Sequence, residues 1–416
     1  MAFLKSALLA TGLLALSPAP NAYSTNLAST YSVEDFVKHA VYSGAKISPN
    51  GEYLAVTVDR GDQDVLTIMR TSDLQLLKIN QLPDKKSVGS FYWVSPDRLM
   101  FNAVRKMGGY AQPFMTGEWF AVNADGSQPR PLIFQGTQGA TARGKTVGAQ
   151  SFSLLDILKD DSRNVIMQVS SPRSREGVGT EVVRMDTLTG RRTSLGRAPK
   201  ENCSIVLDED KLPRFAVCSS SRDEEGEYDE RTELHRRGQD GRWSLVSASK
   251  ADGVHLRVLR TTSDGTVYVI QSDDQSPGAI GTLNTDTGEF AKLFQDGIAD
   301  LSHLIWSTDE EVLIGAVTEA GAPQVTLLNE HHPDAELYAS LASAFPNEMV
   351  TFGSHTDDGN QIIVSVYSDR NPGDLYLYDR NSGKARFLMQ GRAWLDKEKM
   401  ATVRPFSFTS RDGMQV

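Results

Sequence analysis

The sequence predicts an all-β protein, a seven-bladed β-propeller with a short N-terminal helix. Polar turns rich in Asp, Asn and Gly separate short β-branched runs along the 416 residues and recur at 49–50, 96–97, 160–161, 209–210, 263–264, 308–309 and 357–358. Successive turns are 47, 64, 49, 54, 45 and 49 residues apart, counted from the second residue of each pair. A second turn, such as Asn123–Gly126 or Asn284–Gly288, follows roughly 25 to 30 residues later in most units, and two hairpins per repeat are typical of a four-stranded blade.

A ring of blades also explains how the strand edges and faces are covered. A single four-stranded sheet cannot bury both of its faces, whereas each blade of a ring packs against two neighbours. The alternative all-β fold, a pair of sandwiches, does not need seven evenly spaced double hairpins. In the sixth repeat, residues 333–345 have the apolar spacing of a helix, which we expect to cap the outer edge of that blade.

The N-terminus has the pattern of a secretory signal peptide over residues 1–24. One lysine, a mostly apolar run over 6–16 and small residues with prolines follow one another. Ala22 and Ser24 favour cleavage before Thr25, and cleavage directly after Ala22 is the alternative. The apolar run is shorter than the roughly 20 residues that a membrane-spanning helix needs. We therefore expect an exported protein, periplasmic or secreted, with no membrane attachment after cleavage.

The segment from 25 to 46 forms an N-terminal extension with a short helix ahead of a propeller over 47–396. Ser32 is a typical N-cap residue, acidic residues follow it, and Val33, Phe36 and Val37 make an apolar stripe. Such a stripe needs a surface to cover it. The helix therefore lies either on the rim of the propeller or against another domain.

Two cysteines flank a predicted hairpin that turns between Asp208 and Leu212. If the turn centres between residues 210 and 211, Cys203 lies directly opposite Cys218 on the neighbouring strand. An exported protein meets an oxidising environment, so this pair is a possible disulfide. The alternative is two small buried residues that only face each other.

Charge and histidine spacing exclude several classes of partner and cofactor. The net charge of -10 and the absence of a basic stripe argue against nucleic acid and anionic membranes. The histidines lack the helical spacing or cysteine neighbours of a zinc site, so we expect no metal and no cofactor. His331 and His332 are expected in a solvated loop, and Lys106–Gly109 in an ordinary loop that does not bind phosphate.

Several segments resemble peptidases of the prolyl oligopeptidase family. Phe36 followed by Ile47–Ala55, the motif Ser368–Asp379, and Phe406–Gly413 together are similar to exported bacterial acylaminoacyl- and dipeptidyl-peptidase-like enzymes. The resemblance covers essentially the whole mature chain. In that family an α/β-hydrolase domain follows the propeller and carries the serine, acid and histidine of the triad.

The resemblance implies that residues 397–416 are a linker and the first strand of a truncated hydrolase domain. The last residues, Phe406 to Val416, have the pattern of a strand, a tight turn at Arg411–Gly413 and the beginning of a second strand. On this interpretation the chain is a fragment, and its partner is a C-terminal hydrolase domain that the sequence does not contain.

No catalytic residue is assigned, because the nucleophile motif Gly-x-Ser-x-Gly occurs nowhere in the sequence. Glu224 and Glu225 invite comparison with the glutamates that bind the substrate amino terminus in dipeptidyl peptidases, but their surroundings favour a solvated loop with a turn at Gly226. No substrate-binding residue is assigned either. The predicted function is to restrict a serine peptidase to short peptides; the alternative is a stand-alone exported propeller that serves as a binding scaffold.

Overall fold

The computed structural model describes residues 31–108, 112–134, 141–142, 145–146, 150–172, 178–222, 228–273 and 275–413. The predicted signal peptide therefore lies outside the described residues. The described part contains seven antiparallel sheets arranged as the blades of a propeller, so the predicted fold is confirmed.

The first three blades and their connections have the following strands. Blade 1 contains β1 (Tyr42–Ile47), β2 (Tyr53–Asp59), β3 (Asp64–Arg70) and β4 (Leu76–Asn80). Blade 2 contains β5 (Ser87–Ser95), β6 (Arg98–Arg105), β7 (Phe114–Asn123) and β8 (Arg130–Ile133). A small hairpin of β9 (Thr141–Ala142) and β10 (Lys145–Thr146) follows. Blade 3 contains β11 (Ser151–Ile157), β12 (Asn164–Pro172), β13 (Val178–Asp186) and β14 (Arg192–Glu201).

The remaining blades continue in chain order. Blade 4 contains β15 (Cys203–Leu207), β16 (Pro213–Arg222), β17 (Tyr228–Arg237) and β18 (Trp243–Ala248). Blade 5 contains β19 (His255–Thr261), β20 (Val267–Ser272), β21 (Ala279–Leu283) and β22 (Phe290–Phe294). Blade 6 contains β23 (Leu301–Trp306), β24 (Leu313–Thr318) and β25 (Gln324–Leu327). Blade 7 contains β26 (Met349–His355), β27 (Gln361–Tyr367), β28 (Asp374–Asp379) and β29 (Lys384–Gln390).

Helical segments occur in the N-terminal segment, in two connections and in the C-terminal linker. They are α1 (Val33–Val37), α2 (Ser249–Asp252), α3 (Pro333–Ala344) and a 3₁₀ turn at Lys397–Lys399. The predicted N-terminal helix is confirmed by α1. The ring begins at Tyr42 rather than at the predicted boundary at 47, because β1 already pairs with β2 from Tyr42 onward.

Strands that are consecutive in sequence are neighbours in each blade. The first strands of adjacent blades approach one another, as β1 does with β5 and β26, so they form the innermost layer of the ring. No blade combines strands from both ends of the described chain. The ring is therefore closed by contacts between blade 7 and blade 1 rather than by strand exchange.

A short side-chain motif explains the regular turns after the first strands. In five blades a Ser or Thr hydroxyl at the end of the strand hydrogen-bonds an Asp or Asn side chain two residues later, at 2.5–2.8 Å. These pairs are Ser48–Asn50, Ser95–Asp97, Thr262–Asp264, Ser307–Asp309 and Thr356–Asp358. The same carboxylate or amide oxygen often accepts a backbone N–H two residues further on, so the turn is fixed by local bonds.

Clusters of buried hydrophobic side chains fill six of the seams between blades. They lie between blades 1 and 2, 2 and 3, 3 and 4, 4 and 5, 6 and 7, and 7 and 1. Aromatic pairs such as Tyr53–Trp93 and Phe101–Phe120 stack within the first of these seams, with ring centroids 6.1 and 5.8 Å apart. The hydrophobic core is thus divided into separate layers between neighbouring sheets, as in other propellers.

The sixth blade has three strands, and α3 stands where the fourth would follow. The helix begins at the N-cap His332, whose Nδ1 accepts a hydrogen bond from the backbone of Asp334 at 3.1 Å. Ala335, Tyr338 and Leu341 are buried in the cluster between blades 6 and 7. The predicted helix is confirmed; it packs in this seam as well as beside its own blade, because β24 and β26 both contact it.

The register of the cysteine hairpin is as predicted, with Cys203 directly opposite Cys218. The structure joins them by a disulfide, and their Cα atoms are 3.9 Å apart. Both cysteines are buried in the seam between blades 3 and 4, beside Ile166 and Ala216. A bond here would tie together the two innermost strands of blade 4.

Oxidation of this pair in the purified protein is a testable prediction. Because both cysteines are buried, labelling has to be done after unfolding in urea without reductant. We expect no alkylation under these conditions and two alkylated cysteines once reductant is added. The cysteines are separated by 15 positions in the sequence, and the double Cys→Ala variant is expected to lose about 3 kcal/mol of unfolding free energy. Labelling without reductant would rule out the bond.

Candidate functional site

The antiparallel order of the strands gives the ring two different faces. The turns between first and second strands and between third and fourth strands lie on one face, which we call the turn face. The connections between second and third strands, and those that lead from a four-stranded blade to the next blade, lie on the other face, which we call the loop face. Because β1 begins and β29 ends on the loop face, both α1 and the chain after Gln390 lie there.

Basic side chains reach from blade to blade across the turn face. Arg98 of blade 2 donates to the carbonyl of Thr187 in blade 3 at 2.6 Å. Lys211 of blade 4 pairs with Asp156 of blade 3 at 3.0 Å, and Arg386 of blade 7 donates to the carbonyl of Ser72 in blade 1 at 3.1 Å. These contacts hold neighbouring blades in fixed positions at this face.

A buried carboxylate completes the ties on the turn face. Asp334 at the start of α3 accepts the backbone N–H of Thr308 at 2.6 Å and pairs with Arg380 of blade 7. Burial acts to raise the pKa of Asp334, but the hydrogen bond from Thr308 and the Arg380 charge hold it below its usual value. The carboxylate therefore stays ionised between blades 6 and 7 at neutral pH.

The N-terminal helix α1 has the predicted cap but leaves its apolar stripe uncovered. Ser32 and Asp35 form a capping box, and Lys38 and the Ser32 hydrogen bonds lower the pKa of Asp35 to about 2. The side chains of Val33, Phe36 and Val37 are all exposed, Val33 to 79%. The propeller rim therefore does not cover this stripe.

The helix is held instead by the segment that follows the last blade. The indole Nε1 of Trp394 donates to the carbonyl of Asp35 at 2.9 Å, and the Lys38 ammonium lies 4.2 Å from the centroid of the same indole. The backbone N–H of Asp396 donates to the Tyr31 hydroxyl at 2.8 Å. The two ends of the described chain are thus fastened to each other on the loop face.

Residues 401–408 cross the loop face in an extended, exposed conformation and form no strand. The strand predicted to begin at Phe406 is thus not formed over 406–408, and Thr409 makes a single bridge. Ahead of this segment, Val403 is anchored to blade 7 by the Asp369 carboxylate, which accepts its N–H at 2.6 Å. The predicted turn is confirmed, since Gly413 donates to the carbonyl of Ser410 and has φ of 86°. The predicted returning strand lies outside the described residues.

The loop face exposes many large apolar side chains. Phe406 is 84% exposed and Ile298 81%. The set comprises Val33, Phe36, Val37, Val41, Met107, Phe114, Met115, Phe134, Ile298, Val403, Phe406 and Phe408. They come from α1 and the residue before β1, from the connections of blades 2 and 5, and from the segment after the last blade. Exposed apolar side chains gathered on one face are typical of an interface, so the loop face is the candidate functional surface.

A buried ion-pair cluster lies on the loop face between blades 1 and 2. Lys106, expected in an ordinary loop, donates to Asp59 at 2.9 Å and to Asp64 at 2.7 Å. Its side chain is only 6% exposed. Burial raises the pKa of Asp64, whereas burial of Lys106 is outweighed by its two hydrogen bonds, which raise the pKa of the ammonium. The sequence did not predict this cluster, because Asp59 and Asp64 belong to a hairpin of blade 1 and Lys106 to a hairpin of blade 2.

The histidines are separated, and their partners are structural. His235 pairs with Glu233 at 2.8 Å, His255 with the Thr232 hydroxyl at 2.9 Å, and His355 with a backbone carbonyl. Within the described ranges, no serine, histidine and carboxylate form a connected triad, and no three His, Cys, Asp or Glu side chains could hold a metal ion. Glu224 and Glu225 lie outside the described residues.

No helix in the part of the chain that the structure describes is long and apolar enough to cross a membrane. No protein-family model matches the sequence, and no curated protein matches it at a significant level.

Solved structures with the same architecture are peptidases of the prolyl oligopeptidase family, matched over their propellers only. Puromycin hydrolase is 16% identical with a TM-score of 0.56, and 93% of this chain covers 58% of that protein. A prolyl endopeptidase is 12% identical with a TM-score of 0.55, covering 91% of this chain and 54% of that one. Prolyl oligopeptidase B from Galerina marginata is 11% identical with a TM-score of 0.54, covering 92% and 56%.

These similarities establish the fold of this chain and show which part of the longer proteins it matches. The chain is a seven-bladed propeller of the kind that peptidases of the prolyl oligopeptidase family contain. It spans 54 to 58% of the length of the proteins just named.

The Lys106 cluster generates a stability prediction. Replacing Lys106 with Met leaves the Asp59 and Asp64 carboxylates without a counter-charge, and we expect a loss of about 3 kcal/mol in urea unfolding. Adding Asp64→Asn to this variant is expected to recover part of the loss. The control is Lys85→Met, whose pair with Asp62 is exposed and is expected to change stability by no more than about 0.5 kcal/mol. Equal losses for Lys106→Met and Lys85→Met would contradict the structure.

Proposed function

We propose that this chain is the substrate-restricting propeller of a serine peptidase of the prolyl oligopeptidase type. Its loop face packs against an α/β-hydrolase domain, which supplies the serine nucleophile and hydrolyses short peptides. The observation that carries the proposal is the apolar loop face, where Phe114, Phe406 and Ile298 are exposed on a ring whose turn face is tied by ion pairs.

The similar solved structures support the presence of a second domain in the intact protein. They are two-domain peptidases, and the chain matches only their propellers. Burial of large apolar side chains is the main favourable term in protein association, and aromatic side chains often contribute most to it. The exposed stripe of α1, fastened to Trp394, then becomes part of the same interface.

The restricting role follows from steric exclusion. A ring that covers an active site admits an extended peptide but not a folded domain, and this needs no catalytic residue from the ring. Rigid blades are required, since a ring that deforms easily does not exclude by size. The contacts of Arg98, Lys211 and Arg386 between blades supply that rigidity.

Peptidase assays test this proposal. The purified chain alone is expected to hydrolyse no chromogenic peptide anilide and to react with no fluorophosphonate. Produced together with its adjoining coding sequence, which is expected to contain Gly-x-Ser-x-Gly, it should cleave short peptides and leave folded proteins intact. Turnover by the chain alone that serine-directed reagents abolish would overturn the proposal. An adjoining sequence without such a domain would favour the binding scaffold.

Variants of the loop face, compared in the peptidase assay of the two-domain protein, test whether this face forms the domain interface. Phe114→Asp places a charge in the proposed contact, and we expect it to weaken domain association by on the order of 1 kcal/mol or more. The matched control is Leu293→Asp, because Leu293 is similarly exposed but lies on the outermost strand of blade 5. Equal effects of the two variants would contradict the assignment of the loop face.

We also propose that the protein is exported, on the support of the signal-peptide pattern and the cysteine pair. Amino-terminal sequencing of protein from the periplasm or the medium is expected to begin at Thr25, or at Tyr23 by the alternative cleavage. Leu13→Arg interrupts the apolar run and is expected to block processing. Unprocessed wild-type protein that retains Met1 in the cytoplasm would contradict export.

A further inference from the structure

The seam between blades 5 and 6 differs from the other six seams of the ring. Each of the others contains a cluster of buried hydrophobic side chains. Here the described residues instead surround a cavity of about 310 Å³, beside the innermost strands β19 and β23. Ligand sites in proteins begin at about this volume, which suits a ligand of one or two amino-acid residues.

The cavity combines aliphatic walls with two arginines. Leu259 and Ile270 of blade 5 face Leu301 and Leu304 of blade 6 across it. The aliphatic side chains on both walls provide a surface for an apolar group. Such a lining does not favour a small, fully hydrated ion.

Only one of the two arginines pairs with an acidic side chain. The Arg260 guanidinium lies 5.0 Å from the Trp306 ring and pairs with Glu310 at 2.8 Å. Arg257 is exposed and has no hydrogen bond or ion pair among the described residues. The planar fork of a guanidinium matches a carboxylate in a bidentate pair, so Arg257 is free to bind one.

A third polar group on the cavity wall also lacks a partner. The Nδ1 of His303 lies 3.2 Å from the Ser302 hydroxyl. Its Nε2 is shielded from solvent and has no hydrogen-bond partner in the described structure. A nitrogen that water cannot reach is also out of reach of a ligand in the cavity, so His303 forms part of the wall and the contacts with a ligand fall to Arg257 and the aliphatic side chains.

We propose that this cavity binds the carboxyl-terminal residue of a short peptide. The terminal carboxylate pairs with Arg257, and the apolar side chain lies against Leu259 and Leu304. The proposal rests on the peptide substrates of the proposed function. It adds a site in the ring itself, where the free carboxyl end of a peptide is held.

A titration with two matched ligands tests this site on the full chain. The probes are N-acetyl-leucine and N-acetyl-leucinamide, which differ only in the charged carboxylate, followed by saturation-transfer NMR. We expect the acid to bind at least tenfold more tightly than the amide. Arg257→Ala is expected to remove this preference without changing the unfolding midpoint, because Arg257 is exposed and unpaired.

The matched control is Arg242→Ala. Arg242 is also exposed, in a turn of blade 4, and is paired only with Asp240; its loss should leave the affinity unchanged. Equal binding of acid and amide, unchanged binding by Arg257→Ala, or equally tight binding of inorganic phosphate would each overturn the proposal. The assay needs no catalysis, so a failed peptidase assay and a failed carboxylate site are distinguishable.

Discussion

The ring depends on the contact between its first and last blades, where no strand crosses from one to the other. The seam contains a cluster that includes Ile47 and Leu54 of blade 1 and Leu377 of blade 7. Backbone groups add to it, since Ile47 donates to the Ser354 hydroxyl at 2.8 Å. Because no strand pairs across this seam, side-chain packing and isolated hydrogen bonds close the ring. This places the joint beside the linker through which the chain leaves the propeller.

The two faces of the ring divide polar and apolar surface between them. On the turn face, buried charges join neighbouring blades, as Arg98 does for blades 2 and 3 and Asp334 for blades 6 and 7. On the loop face, the fastening of Trp394 to Asp35 holds α1 with its apolar stripe outward. In the proposed function, the polar face keeps the ring rigid and the apolar face packs against the hydrolase domain. The ion pairs of Lys106 with Asp59 and Asp64 join blades 1 and 2 at the loop face.

The seam between blades 5 and 6 has polar and aromatic contacts in place of a hydrophobic cluster. Tyr268 packs edge-on against Trp306 at 5.0 Å, and Arg260 reaches Glu310 across the seam. These contacts leave a cavity whose free guanidinium belongs to Arg257. A site here lies beside the innermost strands, where a peptide passing through the centre of the ring comes close to it. Size restriction and recognition of the peptide end would then be properties of the same ring.

Local chemistry in the sequence determined the number of blades, the helices at 33–37 and 333–344, and the register that sets Cys203 opposite Cys218. Turn residues, caps and hairpin lengths act over a few residues, so they can be recognised in the sequence before the tertiary structure is known. Only the tertiary structure decided that 401–408 forms no strand and that Lys106 is buried between two carboxylates. It also decided that a cavity with Arg257 on its wall lies between blades 5 and 6. These features depend on contacts between blades, and such contacts join residues that no local pattern relates.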